Sequence, residues 1–89
     1  MMENLGDYNL MKRDELAGKL ASENVSKSLY SLNGGLPNEK LCLDFVDNKW
    51  VVYYSERGCR TGLIEFDNED DACLFLYERI KAIVTGKVR

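Results

Sequence analysis

Three runs of alternating apolar and polar residues occupy the middle of the chain: LCLDFV (41–46), WVVYYS (50–55) and TGLIEF (61–66). Period-two alternation is the signature of strands half buried against a core. A short polar turn, DNK, separates the first pair, and a longer loop, ERGCR, with Gly58 free to take positive φ, separates the second. The pattern therefore predicts an antiparallel meander. Leu41, Leu43 and Phe45 share one face of the first strand, and Trp50, Val52 and Tyr54 one face of the second. Those faces are expected to meet the helices, with Trp50 in the core, leaving Cys42, Asp44, Val51, Tyr53 and Ser55 toward solvent. The third run has no clean face, because Leu63, Ile64 and Phe66 fall on both sides.

On either side of the meander the period lengthens to that of a helix. Leu16, Ala17, Leu20 and Ala21, with Leu10 and Met11 one or two turns earlier and Asn9 as a cap, predict a first helix over about residues 9–24, after a loose start at 1–8. Gly18 weakens that helix by about 1 kcal/mol relative to Ala, so packing must support it. The connection 25–40 holds Gly34, Gly35 and the one proline, Pro37. Its length calls for a short element or a binding role, with Leu29, Tyr30 and Leu32 pinning it. NGGLPN is a turn, since it lacks the Lys-Ser/Thr of a phosphate-cradling loop. The last helix starts at Asp67 or Asn68 and runs to about Thr85, with Gly86 as the stop. Cys73, Leu76, Ile80, Ile83 and Val84, bordered by Ala72, form its apolar stripe, and Asp71, Leu74, Phe75, Glu78 and Ala82 lie opposite. The fold class expected for residues 1–89 is one α+β domain: helix, three-stranded antiparallel meander, helix (αβββα), both helices on one face of the sheet.

Composition narrows the function. A chain of 89 residues has room for one core, and 45% hydrophobic with 30% charged residues is a globular balance. No basic start leads into an apolar stretch, and no run approaches the roughly 20 apolar residues of a membrane helix, so a cytoplasmic protein that does not engage membranes is expected. Cys42, Cys59 and Cys73 are odd in number and far apart, which predicts reduced thiols and no metal site. There is no histidine, which removes the usual neutral-pH base, the His-dependent nucleophile arrangements and the commonest zinc ligand. No catalysis and no cofactor are expected; a small enzyme would need carboxylate pairs or a lysine that nothing here organises.

The acids then become the feature to explain. DNEDD (67–71) opens the last helix, where one or two acids complement the first-turn amides and the helix dipole by about 0.3 to 1 kcal/mol each. Four acids within five residues exceed that need. Residues 39–71 hold nine acids against four bases, so the net charge of −3 conceals a polarised molecule, either solvated or presented to a basic partner. The αβββα order is shared with double-stranded-RNA-binding domains, whose last helix begins with lysines that meet phosphates. Acids at that position would repel a duplex, so no nucleic acid is expected as a direct partner.

Across residues 31–80 the segments GGLPNEK, VYYSERG, TGL and EFDNEDDAC resemble the small α+β immunity proteins of bacterial polymorphic-toxin systems, including contact-dependent growth inhibition. The resemblance implies a cytosolic protein that binds one cognate toxin C-terminal domain and blocks it. Many of these toxins are nucleases, whose substrate clefts must be cationic to hold phosphate. An acidic inhibitor is steered quickly to such a cleft, and a few desolvated anchors supply the tightness. The residues expected to form the contact are Asp44, Glu56, Glu65, Asp70, Asp71 and Glu78 for the field, with Tyr53, Phe75 and Tyr77 as aromatic anchors. An open edge at TGLIEF, pairing with a partner strand, is a second mode. A non-catalytic adaptor or subunit that binds a basic partner protein is the alternative function.

Overall fold

The computed structural model describes residues 11–86. Asn9, Leu10 and the start at 1–8 lie outside the described residues. The order is α1 (Arg13–Ser22), a 3-10 turn (Lys27–Leu29), β1 (Tyr30–Ser31), β2 (Lys40–Val46), β3 (Lys49–Glu56), β4 (Cys59–Phe66) and α2 (Glu69–Val84). The fold is α+β, with α1 and α2 packed on the same face of the sheet.

Local chemistry sets the helix limits. α1 begins at Arg13, later than expected, because Lys12 is extended at φ −93°, ψ 168°, and Glu15 accepts the Lys12 backbone N–H at 3.0 Å. It closes with Asn24 at φ 61° and with hydrogen bonds from Asn24 N–H to the Ala21 carbonyl and from Val25 N–H to the Leu20 carbonyl, the Schellman arrangement. α2 is capped by Asn68, which accepts the Asp71 N–H at 2.8 Å, and is stopped by Gly86 at φ 77°.

The sheet corrects the three-stranded antiparallel expectation. Among the described residues it has four strands, in the order β1-β2-β3-β4. The connection 25–40 contributes β1, which pairs with β2 in parallel through Tyr30↔Leu41 and Ser31↔Cys42. The other pairings are antiparallel. Both hairpins turn on two residues with positive φ, Asp47–Asn48 and Arg57–Gly58, the conformation whose twist matches that of paired strands. The expected longer second loop is thus a tight turn, and β3 and β4 extend to meet it. In β4 one extra residue falls between the pairs Val52↔Ile64 and Tyr54↔Thr61, with Gly62 at φ 64°. This bulge re-aims the strand, which is why its apolar residues do not follow one period.

Leu41, Leu43 and Val52 join Leu16, Leu20, Ala72, Cys73, Leu76 and Ile80 in the main core, with Trp50 and Tyr54 half-buried against it. Phe45 sits 4.8 Å from Trp50, centroid to centroid, but at the sheet's end, where it is 48% exposed. Ile83 and Val84 also emerge, at the far end of α2. The main correction concerns the opposite face. Cys42, Val51, Tyr53 and Ser55, expected in solvent, are all buried, Tyr53 to 1% exposure, and the first three form a second small core with Val46 beside it. The residues after β1 fold over this face. The Tyr53 hydroxyl donates to the Gly35 carbonyl at 2.7 Å. Gly34 lies so close to the Asp44 carboxylate that a Cβ would collide with it. Arg60 stacks 4.9 Å above the Tyr53 ring. The long connection is therefore a cover, and β2 and β3 are buried on both sides over Leu41–Leu43 and Val51–Tyr53, whereas β4 stays exposed. Ser55 Oγ finds no hydrogen-bond partner among the described residues, a cost of about 1 to 3 kcal/mol for a buried hydroxyl.

Candidate protein-binding surfaces

Most of the acid cluster serves the protein's own helices. One Asp70 oxygen accepts the Met11 N–H at 2.9 Å and the other meets the Lys12 ammonium at 3.2 Å. Glu69 accepts the Arg13 N–H at 2.7 Å. The first turn of α2 thereby satisfies amides at the start of α1, which have no partner within their own helix. Asp71 is tied to Asn68, and its side chain accepts the Asn68 amide at 3.2 Å. Asp67 pairs with Lys49 at 2.7 Å, which holds its carboxyl below the usual carboxylate range.

The remaining expected contact residues do not form one patch. Asp44 and Glu65 lie on the covered face, on either side of Val51. Asp44 accepts the Phe45 N–H at 2.8 Å and lies 4.0 Å from Arg60. Glu65 is exposed on β4, Glu78 is exposed on α2, and Glu56 is at the opposite end of the sheet from Asp70 and Asp71. Of the aromatic anchors, Tyr53 is interior. Phe75 is half-buried, 5.4 Å from Phe66, with Arg79 over its ring at 5.5 Å. Tyr77 donates its hydroxyl to Glu23, 2.8 Å from the nearer oxygen. Lys81 donates to the same carboxylate at 2.9 Å, and Lys19 lies 3.5 Å away. Hydrogen bonds from Lys81 and then Tyr77 hold the Glu23 carboxyl below its usual range. Burial, and next the Glu23 carboxylate, raise the Tyr77 hydroxyl. This cluster clamps the end of α1 to the middle of α2.

A different group remains open. A cleft of about 270 Å³ lies between the far half of α2 and the sheet, lined by Leu29, Leu41, Ile80 and Ile83 with Tyr54 and Glu39 at its edge. Glu39 is in the left-handed region at φ 57°, and Glu56 shares the face of Tyr54 by strand alternation. Burial, and then the negative field of Glu39 and Glu56, raise the Tyr54 hydroxyl above its ordinary pKa. Neither carboxylate forms an ion pair among the described residues. An apolar floor, a phenol and two uncompensated carboxylates suit an apolar or long cationic side chain, whose stem the floor desolvates and whose head the rim pairs. Of these residues only Glu56 is among the expected contacts, and it neighbours Tyr54 without lining the cleft; the alternation that puts Tyr54 and Glu56 on one face is the signal the sequence carries.

Among the described residues, no group of three or more His, Cys, Asp or Glu could hold a metal ion, and no helix is long and apolar enough to cross a membrane. No protein-family model matches the chain, and neither a curated protein nor a solved structure shows significant similarity to it.

Proposed function

We propose that this protein is a non-catalytic binding domain that captures a basic partner protein, acting as an immunity protein whose partner is a cognate toxin C-terminal domain, foremost a nuclease. The observation that carries the reading is the cleft at Tyr54: apolar floor, Ile83 42% exposed at its mouth, Glu39 in its lining, Glu56 beside Tyr54, and neither carboxylate in an ion pair among the described residues. Hot spots are such desolvatable pockets, and rim charges govern the rate and orientation of approach. Glu65 and Glu78 add to the long-range field. Tyr53 leaves the contact set because it is buried, and Asp70 and Tyr77 because each bonds across to α1 or its ends; Asp71, exposed beside Asn68, stays with the field.

The exposed edge of β4 supports a second reading. Leu63 and Ile64 are exposed there, and among the described residues β4 is hydrogen-bonded to β3 alone. Its bulge and the charges at Arg60 and Glu65 are devices that discourage strand addition, so the cleft is preferred. Calorimetry with the C-terminal domain of whatever protein the upstream reading frame encodes, together with growth rescue, tests the function. Glu39→Lys with Glu56→Lys is expected to weaken binding by tenfold or more, about 1.4 kcal/mol. Unchanged affinity in that variant, with binding abolished by Ile64→Pro, transfers the site to the β4 edge. Absence of both binding and rescue removes the immunity reading and leaves an adaptor for another basic protein.

A further inference from the structure

A second depression lies elsewhere, between α1 and the outer edge of β1, with a volume of about 520 Å³. We propose that this groove binds an extended acidic segment of a partner protein. The inference stands apart from the Tyr54 cleft, and its charge is opposite. Among the described residues Arg13, Lys27 and Lys40 line it against a single acid, Asp14, so a lining with a formal charge of +2 sits on a chain of net charge −3. Among the described residues neither Lys27 nor Lys40 forms an ion pair. The Arg13 guanidinium is held at one end of the groove, donating to the Leu32 carbonyl at 3.4 Å and lying 5.9 Å from the Trp50 ring centroid.

The walls explain why the occupant is extended. Arg13, Ala17 and Ala21 follow one another at four-residue intervals along α1, so the helix presents a low wall with one cation. The facing wall is β1, which among the described residues is hydrogen-bonded to β2 on one side only, leaving main-chain groups able to pair with an added strand. β1 has only two residues, so main-chain pairing fixes direction while the three cations select acidic side chains. A strand advances about 3.3 Å per residue and presents alternate side chains to one face, which suits carboxylates at every second position. Nucleic acid fits less well: three cations neutralise few phosphates, and the chain's net negative charge opposes the rest.

The test uses a fluorescein-labelled, end-capped octapeptide alternating Glu with Thr, its Gln-Thr counterpart, and a single-stranded oligonucleotide, each titrated by anisotropy at low and moderate salt. The Glu peptide is expected to bind at least about tenfold tighter than the Gln peptide and to weaken with salt. Amide shifts should be centred on Ala17, Ser31, Asn33 and Lys40. Lys27→Glu with Lys40→Glu should abolish the preference. Ala21→Trp, an exposed position that alters no charge, should weaken binding by occluding the groove. Unchanged far-UV circular dichroism certifies both variants. No binding of the Glu peptide by ~1 mM, shifts centred elsewhere, indifference to both variants, or equal binding of the Gln peptide or oligonucleotide would overturn the proposal. Ile83→Ser, which alters the mouth of the Tyr54 cleft and no charge, should leave this binding intact, which separates failure here from failure at the Tyr54 cleft.

Discussion

Asp70 sits in the first turn of α2, yet its carboxylate works for α1, and replacing it measures how far the acid cluster is structural. Asp70→Ala removes the acceptor for the Met11 N–H and the countercharge of Lys12. Loss of a helix-capping acceptor costs about 0.5 to 2 kcal/mol. The pair with Lys12, whose side chain is 55% exposed, adds at most about 1 kcal/mol after solvent screening. The expected loss is therefore about 1 to 2 kcal/mol, and Asp70→Asn, which keeps an acceptor oxygen, should cost less. Glu69→Ala removes the acceptor for the Arg13 N–H and should cost a similar amount. Both residues hold the same turn, so the double variant should lose less than the sum, with a coupling of at least about 0.5 kcal/mol. Urea unfolding reads this as a lower midpoint at constant m value. In a domain of this size each kcal/mol lowers Tm by about 4 to 8 °C. Partner affinity should not change. An unaltered midpoint with affinity reduced tenfold or more would refute the reasoning and return these acids to the binding surface.

Three further outcomes follow from side chains already placed. Tyr53→Phe loses the hydrogen bond to Gly35, so stability should fall by about 0.5 to 1.5 kcal/mol, and hydrogen exchange at Gly35 and Leu36 should accelerate; exchange that stays at the wild-type rate would mean the tyrosine does not hold the cover down. Glu23 has a folded-state pKa below the ordinary 4.5, with Lys81 as the largest cause. Its contribution is therefore present above the unfolded value and lost as pH falls through the folded one. The stability gap between wild type and Glu23→Gln should hold near neutrality and shrink below about pH 4.5, and a gap that widens on acidification would contradict the network. Cys59 is exposed while Cys42 and Cys73 are buried, and burial pushes Cys73 up to about 12. A thiol reagent should label Cys59 alone in the native protein and all three cysteines after denaturation, and fast native labelling of Cys73 would place it outside the core.

The sequence by itself determined the elements whose causes are local. Helical spacing at Leu16 and Leu20, period two in β2 and β3, Asn68 as cap and Gly86 as stop depend on residues within a turn or a strand of one another, and all four appear in the structure. The helix-side residues Leu41, Leu43 and Val52 were legible for the same reason. Only the tertiary structure decided what lies across the sheet. Alternation separates two faces but does not say whether the second is wet, and Tyr53 is interior because a glycine-bearing segment 18 residues away accepts its hydroxyl. The acid cluster shows the same limit: composition counts carboxylates, whereas their use depends on partners 56 to 59 positions distant, at Arg13, Lys12 and Met11. Local pattern is encoded by neighbouring residues, but burial of a second face and the pairing of charges are set by which distant backbone the chain's closure brings alongside.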